Sequence, residues 1–223
     1  RCRPNPQGTL KMPDGRVLRA GDPVVTYVAR DLEPYRGFPT FMRSAAKLAA
    51  CNPDAIFVVA GGDGVSYGTP RTDGRKWRDV MMEETGLDPS RIYFLGQISH
   101  EHLIRLFQIS AAHIYLTYPF VLSWSVLEAM ACGAAVIASD TGPCHDVIKD
   151  RHNGLLTDFW DADALADKMI YSLENPAQLM PLRQEARRII TQHFALQKCL
   201  EKQTSLIERL AAGEIERVVG RRG

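Results

Sequence analysis

Residues 113–138 read HIYLTYPFVLSWSVLEAMACGAAVIA. The stretch opens on a β-branched and aromatic run, His113 to Thr117, and closes on another, Ala135 to Ala138. Between them Val126, Leu127, Met130 and Ala131 share one face of a helix predicted over 124–132. Nearly continuous apolar runs suit strands covered on both faces, and a strand, helix, strand order implies a right-handed crossover between parallel strands. Ser123 or Ser125 stands where it can cap that helix, whose first amides are able to receive an anion.

The same alternation extends in both directions. Strands are expected at 24–29, 56–60, 92–95 and 154–157, and helices at 39–51 and 100–110. A further helix opens on Asp161 as N-cap with Leu165, Met169 and Leu173 facing inward, and two more follow near 177–192 and 195–211. The fold class is therefore α/β: a Rossmann-like parallel sheet with helices on both faces, plus C-terminal helices. Residues 9–12 and 16–19 around Asp14-Gly15 read as a β-hairpin. The chain divides into a hairpin segment at 1–23, a Rossmann-like domain at 24–212 and a flexible tail at 213–223.

Composition narrows the function classes. Lys and Arg number 27 against 26 Asp and Glu over 223 residues, a net charge of +1. That balance offers no footprint for nucleic acid, so any anionic ligand must be held by a few placed cations. No apolar run approaches the roughly 20 residues of a membrane span. Five cysteines without a CxxC pair read as reduced thiols of a cytoplasmic protein. The opening Arg-Cys-Arg-Pro has neither initiator Met nor signal pattern and reads as a cut inside a longer protein.

In an open parallel sheet, ligands bind beyond the carboxyl ends of the strands, so the loops there carry the chemistry. The first holds Arg30 and Arg36, whose planar forks suit phosphate oxygens, and Gly37, which permits close backbone approach. The same arginines read equally well as surface partners of Asp31 and Glu33. Gly61-Gly62-Asp63-Gly64 has neither a GxGxxG spacing nor a Lys-Ser/Thr pair and reads as a tight turn; residues 65–76 form a long loop that names no chemistry. Glu128, within an apolar helix, is either an exposed face residue or a carboxylate with dedicated partners, and a carboxylate suits a diol. Asp161-Ala162-Asp163 reads as a helix cap and not as a metal site. The histidines complete no zinc set and no GxSxG elbow is present.

From about residue 24 to 200, the order of parts resembles the C-terminal, donor-binding domain of the family-4 retaining glycosyltransferases, whose GT-B fold sets two Rossmann-like domains face to face. The loop with Arg30, Arg36 and Gly37 carries the resemblance, together with the strand Ile92 to Gly96 and the run Leu127-Glu128-Ala129-Met130-Ala131-Cys132-Gly133 before Ala135-Val136-Ile137. It implies a hexosyl transfer from a nucleoside-diphosphate sugar to an acceptor with retention, metal-independent and without a cofactor. Arg30 and Arg36 would grip the diphosphate and assist the leaving group, with Arg36 in place of the family's usual Lys. Gln97 and Ile98 would touch the nucleobase through their backbone, and Glu128, the second glutamate of the E-x7-E signature, would hold the ribose hydroxyls.

The sequence departs from the family where the first glutamate belongs. Phe120 stands there, and Val121, Leu122 and Ser123 replace the usual Gly-Phe-Gly. The sugar is then expected to be held differently, by 121–123 and Trp124 with their backbone amides. The resemblance further implies a missing N-terminal acceptor-binding domain, through which peripheral membrane association stays open, and negligible transfer by this fragment alone. Alternative readings are an NAD-binding Rossmann domain, an epimerase-like or phosphorylase-like GT-B protein, and a degenerate domain that binds nucleotide or a partner protein without turnover.

Overall fold

The structure, a computed structural model, describes residues 2–118 and 121–214. Phe120 and most of the tail expected at 213–223 lie outside the described residues. A hairpin of β1 (Thr9–Lys11) and β2 (Val17–Arg19) precedes β3 (Val24–Asp31), α1 (Phe38–Cys51), β4 (Ile56–Gly62), α2 (Trp77–Thr85) and β5 (Ile92–Phe94). Then follow α3 (His100–Ile109), β6 (Ala112–Tyr115), α4 (Trp124–Ala131), β7 (Val136–Ser139), the one-turn α5 (Gly142–His145) and β8 (Leu155–Thr157). The chain ends in α6 (Ala162–Glu174), α7 (Met180–His193) and α8 (Leu196–Ala211).

Strands β3 to β8 form one sheet in the order β5-β4-β3-β6-β7-β8, with every pairing parallel. The order reverses between β3 and β6, and the crevice that opens at such a switch point is the ligand position of this architecture. The pairing of Val25 with both Phe57 and Ala112, and of Tyr27 with Val59 and Ile114, fixes which side chains face each layer.

One face buries Val25, Tyr27, Phe57 and Ile114 against Phe38, Phe41 and Leu48 of α1 and Leu165 and Met169 of α6. The other buries Tyr115, Val136 and Ala138 against Phe107 of α3, Val126 and Met130 of α4, and Ala186 and Ile190 of α7. The hairpin caps a third cluster, in which Leu10, Met12 and Leu18 meet Val24, Val58 and Leu106. In β6, His113 is fully buried with Nδ1 2.9 Å from Thr26 Oγ1, and desolvation pushes its pKa down to about 3, so the imidazole is neutral.

Helix α2 is absent from the sequence expectation. Its single buried residue is Met81 and its start has no side-chain cap, so no apolar stripe announces it. At α6 the expectation holds: Asp161 Oδ1 accepts the Ala164 N–H at 2.8 Å, and Asp163 pairs with Lys47. Replacing Asp161 by alanine should lower stability by about 1 kcal/mol, and replacing it by asparagine by a few tenths at most. Urea denaturation reads both, and equal losses would refute the capping role.

Candidate functional site

β3 continues through Asp31, which pairs with Gly62 after a register shift that follows Val28. Arg30 is exposed at its end. Pro34-Tyr35-Arg36 then makes a 3-10 turn, its φ preset by the proline, and Gly37 closes it at φ 68° by donating its N–H to Pro34 O at 2.8 Å. A Cβ on Gly37 would lie 2.4 Å from Leu116 Cβ. The bare backbone is needed here to pack against the chain leaving β6.

This contact sets Arg36 across the switch point. Its carbonyl accepts the Tyr27 hydroxyl at 2.5 Å, its Nη1 donates to Thr117 Oγ1 at 2.8 Å, and its guanidinium carbon lies 4.5 Å from the Tyr67 ring centroid. Thr117 is fixed in turn, its N–H donating to Ser139 Oγ at 2.7 Å and its hydroxyl to Tyr118 O at 3.0 Å. A guanidinium gripped on one edge and one face is oriented before any ligand arrives.

The acids beside the arginines have other work. Asp31 accepts the Gly64 N–H at 3.0 Å and the Ser66 hydroxyl, while Glu33, buried to 1% exposure, accepts the N–H of Gly68 at 2.9 Å and of Tyr67 at 3.2 Å. The reading of Arg30 and Arg36 as their surface partners is therefore corrected: backbone amides take both carboxylates. Gly61 and Gly62, expected in a tight turn, belong to β4, and a Cβ on Gly62 would stand 2.5 Å from Asp31 Oδ1.

At the next loop Ser123 is the N-cap of α4, its Oγ accepting the Ser125 N–H at 3.3 Å and its own N–H donating to the Tyr115 hydroxyl at 2.9 Å. Val121 is 68% and Trp124 81% exposed, whereas Leu122 packs into the core below. One turn into α4, Glu128 Oε1 lies 2.7 Å from His100 Nε2, the first residue of α3. Glu128 is thus a half-covered carboxylate with a dedicated partner, and the partner is a histidine from which the sequence reading expects no role. Gln97, just before α3, is exposed, while the partly buried Ile98 packs its side chain against the hairpin cluster. Burial pushes the Cys132 thiol, one turn beyond Glu128, up to about 12, which removes it as a nucleophile.

Thr117, Tyr67 and His100 are residues of the candidate site that sequence reasoning misses, and Glu33 is offered there only as a partner of the arginines. Each meets its partner through a crossover, which leaves no local signal. An open cavity of about 770 Å³, lined by Arg151, Leu155, Lys168, Tyr171, Leu179 and Leu182, lies elsewhere, between α6, α7 and the amino end of β8. Of its two acids, Asp167 and Glu185, the latter is tied to Arg188 and His152. The crevice, with its oriented cation, is the better candidate. Among the described residues, no group of three or more His, Cys, Asp or Glu side chains could hold a metal ion, and no helix is long and apolar enough to cross a membrane.

Comparison with known proteins agrees with this fold. The chain is 26% identical over 194 residues to the D-inositol 3-phosphate glycosyltransferase of Rhodococcus jostii, covering 84% of this chain and 40% of that protein. Sucrose-phosphate synthase from Thermosynechococcus elongatus superposes with a TM-score of 0.75 at 26% identity, covering 86% of this chain and 46% of that one. The Anabaena protein HepE, solved in complex with UDP and glucose, shares the fold at a TM-score of 0.73 and 21% identity, over 84% of this chain and 48% of that one. These solved neighbours have the GT-B fold, and the chain spans less than half the length of each of the three proteins. Residues 11–189, from the hairpin into α7, match the model for glycosyl transferases group 1, and the chain belongs to that family.

Proposed function

We propose that the crevice between β3 and β6 binds the diphosphate of a nucleoside-diphosphate sugar and supports retaining transfer of its hexosyl unit to an acceptor. The observation that carries this reading is Arg36, held across the switch point by Thr117 and Tyr67. Negative charge grows on the diphosphate as the glycosidic bond breaks. A preoriented guanidinium and the amino end of α4 stabilise that charge more in the transition state than in the ground state. Arg30 adds a second cation from the exposed end of β3. The protein supplies the electrophilic assistance itself, so this reading calls on no metal or cofactor. That HepE, which shares the fold, was solved in complex with UDP and glucose supports a nucleotide as the class of ligand.

Glu128 takes the ribose diol in this reading, sharing its carboxylate with His100, and the backbone of 97–98 meets the base. Ser123, Trp124 and the amides of 121–124 flank the sugar. The acceptor is received by a further domain, which would also provide any peripheral membrane contact of a cytoplasmic enzyme, so these 223 residues alone should give negligible transfer. The test is calorimetric titration of the chain with UDP, GDP and ADP. At least one should bind, and Glu128→Ala should weaken it about tenfold, the loss of one charged hydrogen-bonding group. Equal affinity of the two proteins would sink the donor-site assignment.

A further inference from the structure

A fully covered acid in a phosphate-gripping loop needs a reason, because burying a carboxylate is costly unless donors satisfy it. Glu33 has them in the N–H groups of Tyr67 and Gly68, and Asp31 does the same for Gly64 and Ser66. The two acids therefore staple residues 64–68, from an otherwise uncommitted loop, onto the loop that carries Arg36. The part of the staple that reaches Arg36 is the Tyr67 ring, 4.5 Å from its guanidinium carbon and 45% exposed. Thr117 Oγ1 holds the same guanidinium through Nη1.

We propose that Tyr67 is a positioning residue for diphosphate binding: its ring face and the Thr117 hydroxyl together hold the Arg36 guanidinium in one plane across the crevice. Glu33 and Asp31 act one step further out, by fixing the loop that delivers the ring. This rests on the reading that Arg36 binds the diphosphate. An arginine frozen beforehand does not lose its rotamer freedom on binding, and the immobilisation cost of one such side chain corresponds to roughly five- to tenfold in affinity.

The experiment titrates UDP, GDP and ADP, and the monophosphate of whichever binds most tightly, into the unmodified chain and its Tyr67→Leu, Tyr67→Phe and Arg36→Ala variants. Tyr67→Leu should lose five- to tenfold on the diphosphate and less on the monophosphate, so that the ratio of the two affinities falls. Tyr67→Phe, which keeps the ring face, should stay within about twofold of the unmodified chain. Should the leucine variant fail to fold, Tyr67→Gln, also without a ring, repeats the measurement. An unchanged ratio in Tyr67→Leu, or an equal loss on both nucleotides, overturns the positioning role while an Arg36→Ala loss leaves the donor site standing. Unaltered binding by Arg36→Ala, or no binding by the unmodified chain, overturns the site reading and this proposal with it.

Discussion

Gly37→Ala is expected to destabilise the fold by about 2–5 kcal/mol, more than any surface change near the crevice. Two costs combine. At φ 68° a side chain adds roughly 1–2 kcal/mol of left-handed strain. A Cβ there would also stand 2.4 Å from Leu116 Cβ and 2.7 Å from its Cδ1, and overpacking of a closed core costs about 1–3 kcal/mol. Leu116 is 2% exposed and cannot swing into solvent to make room. Gly86, the C-cap of α2, has φ 60° with nothing within 4 Å of a built Cβ, so Gly86→Ala carries only the first cost. Urea denaturation of both variants separates the two: the gap between them measures the clash, and equal losses would show that Gly37 is needed for its dihedral alone. Because Gly37 ends the turn that holds Arg36, any backbone shift also reaches the candidate site.

The strands of the sheet were legible because a parallel sheet buried on both faces writes itself as continuous apolar runs. Val24 to Ala29 and Ile56 to Ala60 mark β3 and β4 well, but each strand runs two residues further. Pairing of Asp31 with Gly62 continues the ladder after the apolar run has stopped, and glycine is required there for the close approach. Helix α2 was hidden for the opposite reason: with Met81 alone buried, it has too narrow an apolar face to register as a period. In the site, the charges were legible and their partners were not. Proximity in sequence offered Asp31 and Glu33 to the arginines, yet both acids bond backbone amides, while Arg36 takes Thr117, 81 positions away. His100 and Glu128 are 28 positions apart and meet only because α3 and α4 pack side by side on one face of the sheet. Composition also states that charge is nearly balanced, which the crevice turns into a demand on individual cations.

Arg36→Ala should weaken nucleoside diphosphate binding by roughly tenfold to a hundredfold, the range of a charge-assisted hydrogen bond to an anion. Arg30→Ala should do less, because Arg30 is exposed at the end of β3, whereas Arg36 is half-buried and gripped by Thr117 and Tyr67. Salt discriminates between them. Near 1 M ionic strength the Debye length contracts to about 3 Å, which screens an exposed cation far more than a partly covered one. The Arg30→Ala deficit should therefore shrink as salt rises, and the Arg36→Ala deficit should largely persist. Arg36→Lys, which keeps the charge but loses the planar fork and the stacking on Tyr67, should fall between alanine and the unmodified chain. Calorimetric titrations at low and high salt decide the matter. Equal, equally salt-sensitive losses for the two alanine variants would mean that the crevice attracts its ligand by diffuse charge, and that the orientation of Arg36 contributes nothing to binding.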